Sequence, residues 1–104
     1  MFFPKTEADI VARITNARPS KTCFISGYRP AFRIKDDYLT TGIIRLINQD
    51  ELAYGDSATA EIWFITPEYY PHCIEQGQRI VFQEGATIHG YITVTQINNK
   101  LLEK

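Results

Sequence analysis

The residues best suited to catalysis or metal binding are the two cysteines and two histidines, at Cys23, Cys73, His72 and His89. A cysteine beside a histidine base can act as a nucleophile, and four such ligands can hold zinc. The spacing supports neither, because His72 and Cys73 are adjacent and point to opposite sides of an extended segment. We expect no metal site. We also expect buried, reduced thiols and a solvated imidazole, with a disulfide as the alternative.

Other catalytic patterns are equally weak. The chain has no glycine-rich loop followed by Lys and Ser or Thr, and no GxGxxG spacing, so we expect no nucleotide cofactor. The acidic pairs Asp36–Asp37 and Asp50–Glu51 fall in predicted turns, where carboxylates are usually solvated. These observations predict a protein that is not an enzyme and needs no cofactor.

Length and composition set further bounds. The chain has 104 residues, of which 44% are hydrophobic and 22% charged, and this predicts one globular domain. Eleven basic residues against twelve acidic ones give a formal net charge of −1, which argues against a basic field for nucleic acid. The N-terminus resembles no secretory leader, and every apolar run is far shorter than the ~20 residues of a membrane span. We expect a cytoplasmic protein without membrane contact.

Apolar residues alternate with polar ones along most of the chain, which predicts strands. For example, Ile62 and Phe64 share one face of a strand and Trp63 lies on the other. The predicted strands cover 7–14, 23–25, 31–34, 39–47, 58–66, 79–83 and 88–95. Within the last of them, Gly90 predicts a corner or a close backbone approach. Six or seven short strands indicate an all-β barrel or sandwich over about 7–97, followed by a polar tail at 98–104 that frays.

Two tyrosines fall in the longest irregular stretch, residues 66–78. Tyr69 and Tyr70 lie between Pro67 and Pro71, where no strand alternation enforces burial. Tyrosine is also a residue type that often anchors protein interfaces. The pair therefore either contacts a partner or packs over the end of the domain.

Several short motifs follow one another in a recognisable order. They are GYRPAF at 27–32, TG at 41–42, GD at 55–56, GQRIVFQEG at 77–85, and Gly90. In this order they resemble the C-terminal β-barrel domain (domain 3) of elongation factor Tu, over about residues 7–97. The resemblance implies a closed antiparallel barrel of six or seven strands with no catalytic groups.

In that family the domain packs against a GTPase domain and helps grip the T stem of aminoacyl-tRNA. Thr41, Glu84 and Gly85 match family positions near the tRNA. Two family arginines, however, are replaced here by Gln83 and Thr87. Because phosphate contacts dominate affinity for nucleic acid, the loss of two cations predicts weakened RNA binding.

The resemblance and the charge balance together predict a stand-alone, non-catalytic module that binds a protein partner. We expect a link to translation, as a decoy, an adaptor or a toxin-neutralising protein. The expected contact residues are Tyr28, Arg29, Tyr69, Tyr70 and His72. One alternative is weak tRNA or RNA binding, disfavoured by the net charge, through Thr41, Arg79, Glu84 and Gly85. Another is a separate subunit of a split elongation factor. Arg29 and Arg79 could instead pair with a barrel carboxylate such as Glu84.

Overall fold

The computed structural model describes residues 3–35 and 38–104, so the predicted turn at Asp36–Asp37 lies outside the described residues. These ranges contain eight strands and two single-turn 3-10 helices. The strands are β1 (Ile10–Asn16), β2 (Phe24–Ile25), β3 (Ala31–Lys35), β4 (Tyr38–Leu46), β5 (Glu51–Leu52), β6 (Ser57–Phe64), β7 (Arg79–Glu84) and β8 (Thr87–Ile97). The 3-10 turns cover Pro67–Tyr69 and Lys100–Leu102. In the described ranges, no helix has the length and apolar character needed to cross a membrane.

Six of the strands form a closed antiparallel barrel. Their order is β1-β6-β4-β3-β7-β8, and β8 pairs back with β1. Strands β2 and β5 form a separate two-stranded sheet. The prediction of an all-β closed antiparallel barrel is therefore confirmed. The sequence pattern does not predict β5, because two residues are too few for an alternation to show.

Alternation along the strands directs one face of each into the barrel. The inward residues of β1 and β6 are at most 5% exposed, and they are Ile10, Ala12, Ile14, Ala58, Ala60, Ile62 and Phe64. Phe32 packs with its ring centroid 5.5 Å from that of Phe64 and 5.8 Å from that of Phe82. Burying a side chain of this size contributes about 1.5–3 kcal/mol to stability. The core thus consists of aliphatic side chains around these three rings, with Phe24 and Tyr70 also buried in the same cluster.

Gly90 marks the closest backbone approach in the barrel. A β-carbon built on it would lie 2.3 Å from the Thr15 carbonyl oxygen and 2.5 Å from the Phe82 ring. Neither contact is sterically allowed, so any side chain here would displace β1 or the Phe82 ring. The predicted close approach at Gly90 is confirmed, and it lies where β8 passes between β1 and β7.

One inward assignment is wrong. Simple alternation in the sequence puts Ile88 on the same face as Gly90 and Ile92, but Ile88 is 52% exposed. The β7–β8 register shifts between Phe82 and Gln83, so that Phe82 pairs with Gly90 while Gln83 pairs with Ile88. The extra residue of this bulge, His89, puts Ile88 on the face of Gln83 instead of the face of Phe82.

A second apolar cluster lies on the outside of the barrel. Trp63, predicted on a half-polar outer face, is only 5% exposed because the N-terminal segment covers it. Its indole Nε1 donates a hydrogen bond to the Thr6 carbonyl oxygen at 3.0 Å. Phe3 and Ala8 pack in the same cluster, together with Ile43 of the neighbouring strand β4. The segment before β1 therefore acts as an external brace across β4 and β6.

The prediction that residues 98–104 fray is wrong. Leu102 is fully buried, and its carbonyl oxygen accepts a hydrogen bond from the Ile74 amide at 2.8 Å. The Lys104 amide donates in turn to the Ile74 carbonyl oxygen at 2.9 Å. The segment is polar in composition, so the sequence gives no sign that one of its leucines is buried. Leu102 packs against the long connection between β6 and β7.

The two adjacent leucines of this segment test its packing directly. We expect Leu102→Ala to lower the free energy of unfolding by about 2–5 kcal/mol, because it removes a fully buried side chain. Leu101, which is 43% exposed, is the matched control, and Leu101→Ala should change stability by less than about 0.5 kcal/mol. Denaturant titration measures both. Equal, small effects would mean that the segment does fray.

Candidate functional site

Antiparallel strands bring the chain connections to the two ends of the barrel. The insertion end carries the connection between β6 and β7 (65–78) and the C-terminal segment, and the hairpin end carries the loops after β1 and β2 and the β7–β8 turn. The predicted partner-binding residues divide between the insertion end, with Tyr69, Tyr70 and His72, and the hairpin end, with Tyr28 and Arg29. They therefore do not form a single site.

A groove of about 380 Å³ opens at the insertion end, lined by Lys35, Tyr38, Tyr69 and Tyr70. We call it the tyrosine groove. Tyr69 and Tyr38 are 74% and 62% exposed. Tyr70 is buried, and its hydroxyl donates a hydrogen bond to the Leu39 carbonyl oxygen at 3.1 Å. The ring of Tyr70 thus forms the fixed inner side of the groove, and the other two tyrosines are free at its rim.

Local structure explains why two neighbouring tyrosines have such different environments. Pro67 begins the 3-10 turn with a backbone angle already suited to it, and the Tyr70 amide donates to the Pro67 carbonyl oxygen at 3.0 Å. Tyr69 therefore points away from the barrel while Tyr70 packs into it. Sequence reasoning missed Tyr38, which reaches the groove through its pairing with Lys35 across the β3–β4 connection.

His72 lies beside the tyrosine groove and is tied to the C-terminal segment. Its amide donates to the Leu101 carbonyl oxygen, and its Nδ1 lies 2.8 Å from the Glu103 carbonyl oxygen. A second depression of about 380 Å³ has Lys35, His72 and Lys104 among its lining residues. Lys35 borders both depressions, whereas Lys104 lines only the second one and lies 3.5 Å from the Glu75 carboxylate.

At the hairpin end, the Glu84 carboxylate is shared by groups from three parts of the chain. The Tyr28 hydroxyl donates to its Oε2 at 2.5 Å, and Arg18 Nη2 lies 3.5 Å from the same atom. His89 Nδ1 is 3.1 Å away, although its ring is not oriented for a hydrogen bond. This glutamate cluster joins the loop after β1, the loop after β2 and strand β8. The carboxylate predicted to face RNA is therefore already engaged within the protein.

Arg18 is the member of the glutamate cluster that sequence reasoning missed. Its guanidinium lies 4.7 Å from the Tyr28 ring centroid and 5.5 Å from that of Phe24, and its Nη1 donates to the Cys23 carbonyl oxygen at 2.6 Å. Such stacking on aromatic faces is typical of arginine. Nothing in the sequence marks Arg18, which lies in a predicted turn 66 residues from Glu84.

Burial raises the pKa of the Tyr28 hydroxyl well above its ordinary value of 10.0. The hydrogen bond to Glu84 raises this pKa further, because deprotonation would place two anions in direct contact. Arg18 opposes the shift and does not cancel it. Tyr28 is therefore a neutral hydrogen-bond donor in the cluster, and its hydroxyl is occupied.

The remaining predicted residues do not converge. Arg29 is exposed and forms no ion pair with a described residue, and the arginine that lies beside Glu84 is Arg18. Thr41 is half-buried within β4. Gly85 lies in the β7–β8 turn with a φ of 58°, a left-handed conformation that favours glycine. The set predicted to bind RNA is thus spread along the barrel.

Arg79 belongs to a different surface, the basic wall, which we define by Arg13, Arg33 and Arg79. Arg13 and Arg79 are exposed and both lie opposite Thr93, which places them about 10 Å apart across β1, β8 and β7. Arg79 stacks on the ring of Tyr91 at 4.2 Å. None of the three arginines pairs with a carboxylate of the described residues.

Acidic residues are nearly absent from the strands of this wall. Strands β1, β3 and β8 contain none, and β7 contains only Glu84, its last residue. The Arg33 guanidinium donates to Gln83 Oε1 at 3.0 Å, a neutral acceptor that leaves its charge uncompensated. The net charge of −1 therefore hides a local excess of positive charge on this wall, because most carboxylates lie outside the barrel strands.

Both cysteines are free, but their environments differ from the prediction. Cys23 is exposed and Cys73 is half-buried, so the expected burial is wrong for Cys23, which lies just outside β2. The expected solvated imidazole is also wrong for His89, whose side chain is only 16% exposed. Across the described ranges, no three His, Cys, Asp or Glu side chains are grouped so as to hold a metal ion.

Two surfaces thus carry side chains that are exposed and available to bind a partner. The tyrosine groove offers aromatic rings and hydroxyls, and the basic wall offers guanidinium groups, whereas the glutamate cluster is occupied by internal contacts. No family model matches the chain.

The raised pKa of Tyr28 predicts a pH dependence of stability. Above pH 10 the unfolded chain loses the Tyr28 proton while the folded protein keeps it, so the stabilising contribution of this hydroxyl declines as pH rises. We expect the stability difference between wild type and Tyr28→Phe to be largest below pH 10 and to shrink at higher pH. Urea titrations at pH 8, 10 and 11 measure it. A difference that stays constant would contradict the raised pKa.

Proposed function

We propose that this protein is a non-catalytic binding module that recognises a protein partner through the tyrosine groove. The observation that carries the proposal is the exposure of Tyr38 and Tyr69 side by side at one end of a closed barrel. A tyrosine buries 150–250 Å² in a contact and loses few rotamers, which is why tyrosine is enriched among the residues that dominate interface energies.

The rigidity of the groove also favours a binding role. Tyr70 is held by its hydrogen bond to Leu39, and the buried Leu102 anchors the adjoining C-terminal segment. A surface that is already ordered loses little conformational entropy on binding, so more of the contact energy appears as affinity. Lys35 adds a polar group at the rim, where interfaces are usually polar, and His72 lines the neighbouring depression.

We further propose that the partner is linked to translation, as the resemblance to domain 3 of elongation factor Tu implies. The GYRP motif at 27–30 performs a structural task compatible with this. The Gly27 amide donates to the Ile44 carbonyl oxygen, and the Pro30 carbonyl oxygen accepts from the Gly42 amide. These hydrogen bonds hold the motif against β4. Within the motif, the Arg29 side chain is exposed to solvent.

A second candidate function is RNA binding, which the basic wall supports. Its three arginines project from a surface nearly free of carboxylates, and the hydroxyls of Thr15, Thr93 and Tyr91 lie among them on the same outer face. Arginine guanidinium groups and hydroxyls are common partners of phosphate oxygens. This candidate keeps only Arg79 from the set predicted by sequence.

The protein-binding proposal is tested by capture with paired variants. We expect the double variant Tyr38→Ala/Tyr69→Ala to bind the partner at least about tenfold more weakly, because it removes both exposed rings. Tyr54→Ala is the matched control, since Tyr54 is 46% exposed and lies in a different connection, between β5 and β6. Mass spectrometry of the protein captured from a lysate identifies the partner, and titration measures the affinities. Equal capture by all variants would refute the proposal.

The RNA candidate makes a separate prediction. A gel shift with a 20-nucleotide RNA should show binding that weakens with salt, and Arg13→Gln/Arg79→Gln should lower the slope of log K against log[salt] by about two. Arg45→Gln is the control, because Arg45 already pairs with Glu61. An absence of retardation at low salt, or an equal effect of Arg45→Gln, would eliminate this candidate.

A further inference from the structure

We propose that the occupant of the tyrosine groove is a proline-rich segment of the partner in the polyproline II conformation. This inference rests on the proposed protein-binding function and names the chemistry of the partner. Proteins bind peptide segments in a few recurring ways, and the residues that line the groove favour one of them.

Addition of a β-strand does not suit the insertion end. Each of the six barrel strands has a neighbour on both sides. The β3–β7 ladder pairs only Ala31 with Gln83 and Phe32 with Phe82, but the stretch beyond it lies between two adjacent strands of a closed barrel and is not an open edge. The open edges among the described residues belong to the small sheet of β2 and β5, whose loops lie away from the groove. An extended peptide would therefore find no open sheet edge beside the tyrosines.

An amphipathic helix does not suit the groove either. A helix is held by apolar side chains at i, i+3, i+4 and i+7, which need a long hydrophobic trough. The described residues that line this groove are three tyrosines and one lysine, and none of these four is aliphatic. The volume of about 380 Å³ also lies at the small end of binding sites.

Polyproline II fits the chemistry of the lining. Such a helix has no internal hydrogen bonds, so its carbonyl oxygens are free acceptors, and its pyrrolidine rings present flat apolar faces. Tyrosine offers both complements, a ring face and a hydroxyl donor. The Tyr38 and Tyr69 hydroxyls bond to no described residue, whereas that of Tyr70 is taken by Leu39, which leaves Tyr70 to contribute its ring alone.

The energetics also favour this occupant. A small groove yields limited contact energy, and a preformed polyproline II segment loses little entropy when it binds. One turn of three residues spans about 9 Å, so a short segment suffices to contact both rim tyrosines.

Peptide titration tests the inference on the intact chain. Fluorescein-labelled decaproline, a Gly-Ser decapeptide and an amphipathic helical peptide are titrated separately, with fluorescence anisotropy as the readout. We expect saturable binding of decaproline alone. Tyr69→Ala should weaken it at least about tenfold, and Tyr69→Phe, which keeps the ring and loses one hydrogen bond, by about threefold. Tyr54→Ala should leave it unchanged.

Three results would overturn the inference. They are no binding of decaproline, preferential binding of the helical peptide, or an equal loss in Tyr54→Ala and Tyr69→Ala. The outcome also separates this inference from the proposed function. If decaproline fails to bind while Tyr38→Ala/Tyr69→Ala still abolishes capture of a protein partner, the protein-binding function stands and only the proline chemistry is wrong.

Discussion

Antiparallel pairing between β1 and β8 joins the first barrel strand to the last and leaves the barrel without a free edge. The pairing requires β8 to pass close to both of its neighbours, and Gly90 permits this by having no side chain against the Thr15 carbonyl and the Phe82 ring. Closure also gives the inward residues a complete apolar enclosure. The inward-facing apolar residues are therefore shielded from water on all sides because the first and last strands of the sheet pair with each other.

Closure decides where binding can occur. Every barrel strand has a neighbour on both sides, so the barrel offers a partner no open edge strand, and the groups that remain for recognition are mainly side chains on the wall or at the ends. At the insertion end, the long connection and the C-terminal segment support each other through Leu102 and Ile74. This support allows Tyr69 to remain exposed without loosening the fold, since the core beneath it is complete.

The distribution of charge over the surface also depends on how the chain folds. A formal net charge of −1 predicts little attraction for a polyanion, yet the strands of the basic wall contain almost no carboxylate. The acidic residues lie mainly in the connections, and one of them, Glu84, is engaged by Arg18 and Tyr28. A binding partner is attracted or repelled by the local electrostatic potential and not by the net charge, because surface charges are screened beyond a Debye length of about 8–10 Å.

The class of fold, the main strands and most of the core follow from the sequence pattern, because side-chain direction in a strand alternates with a period of two that neighbouring residues reveal. The same pattern singles out Gly90 and the irregular stretch with Tyr69. Three contacts become visible only in the folded chain: Tyr38 joins Tyr69 in one groove, Arg18 reaches Glu84, and Leu102 is buried. These contacts join residues far apart in the chain, and alternation alone carries no information about which strands are neighbours or how their connections pack.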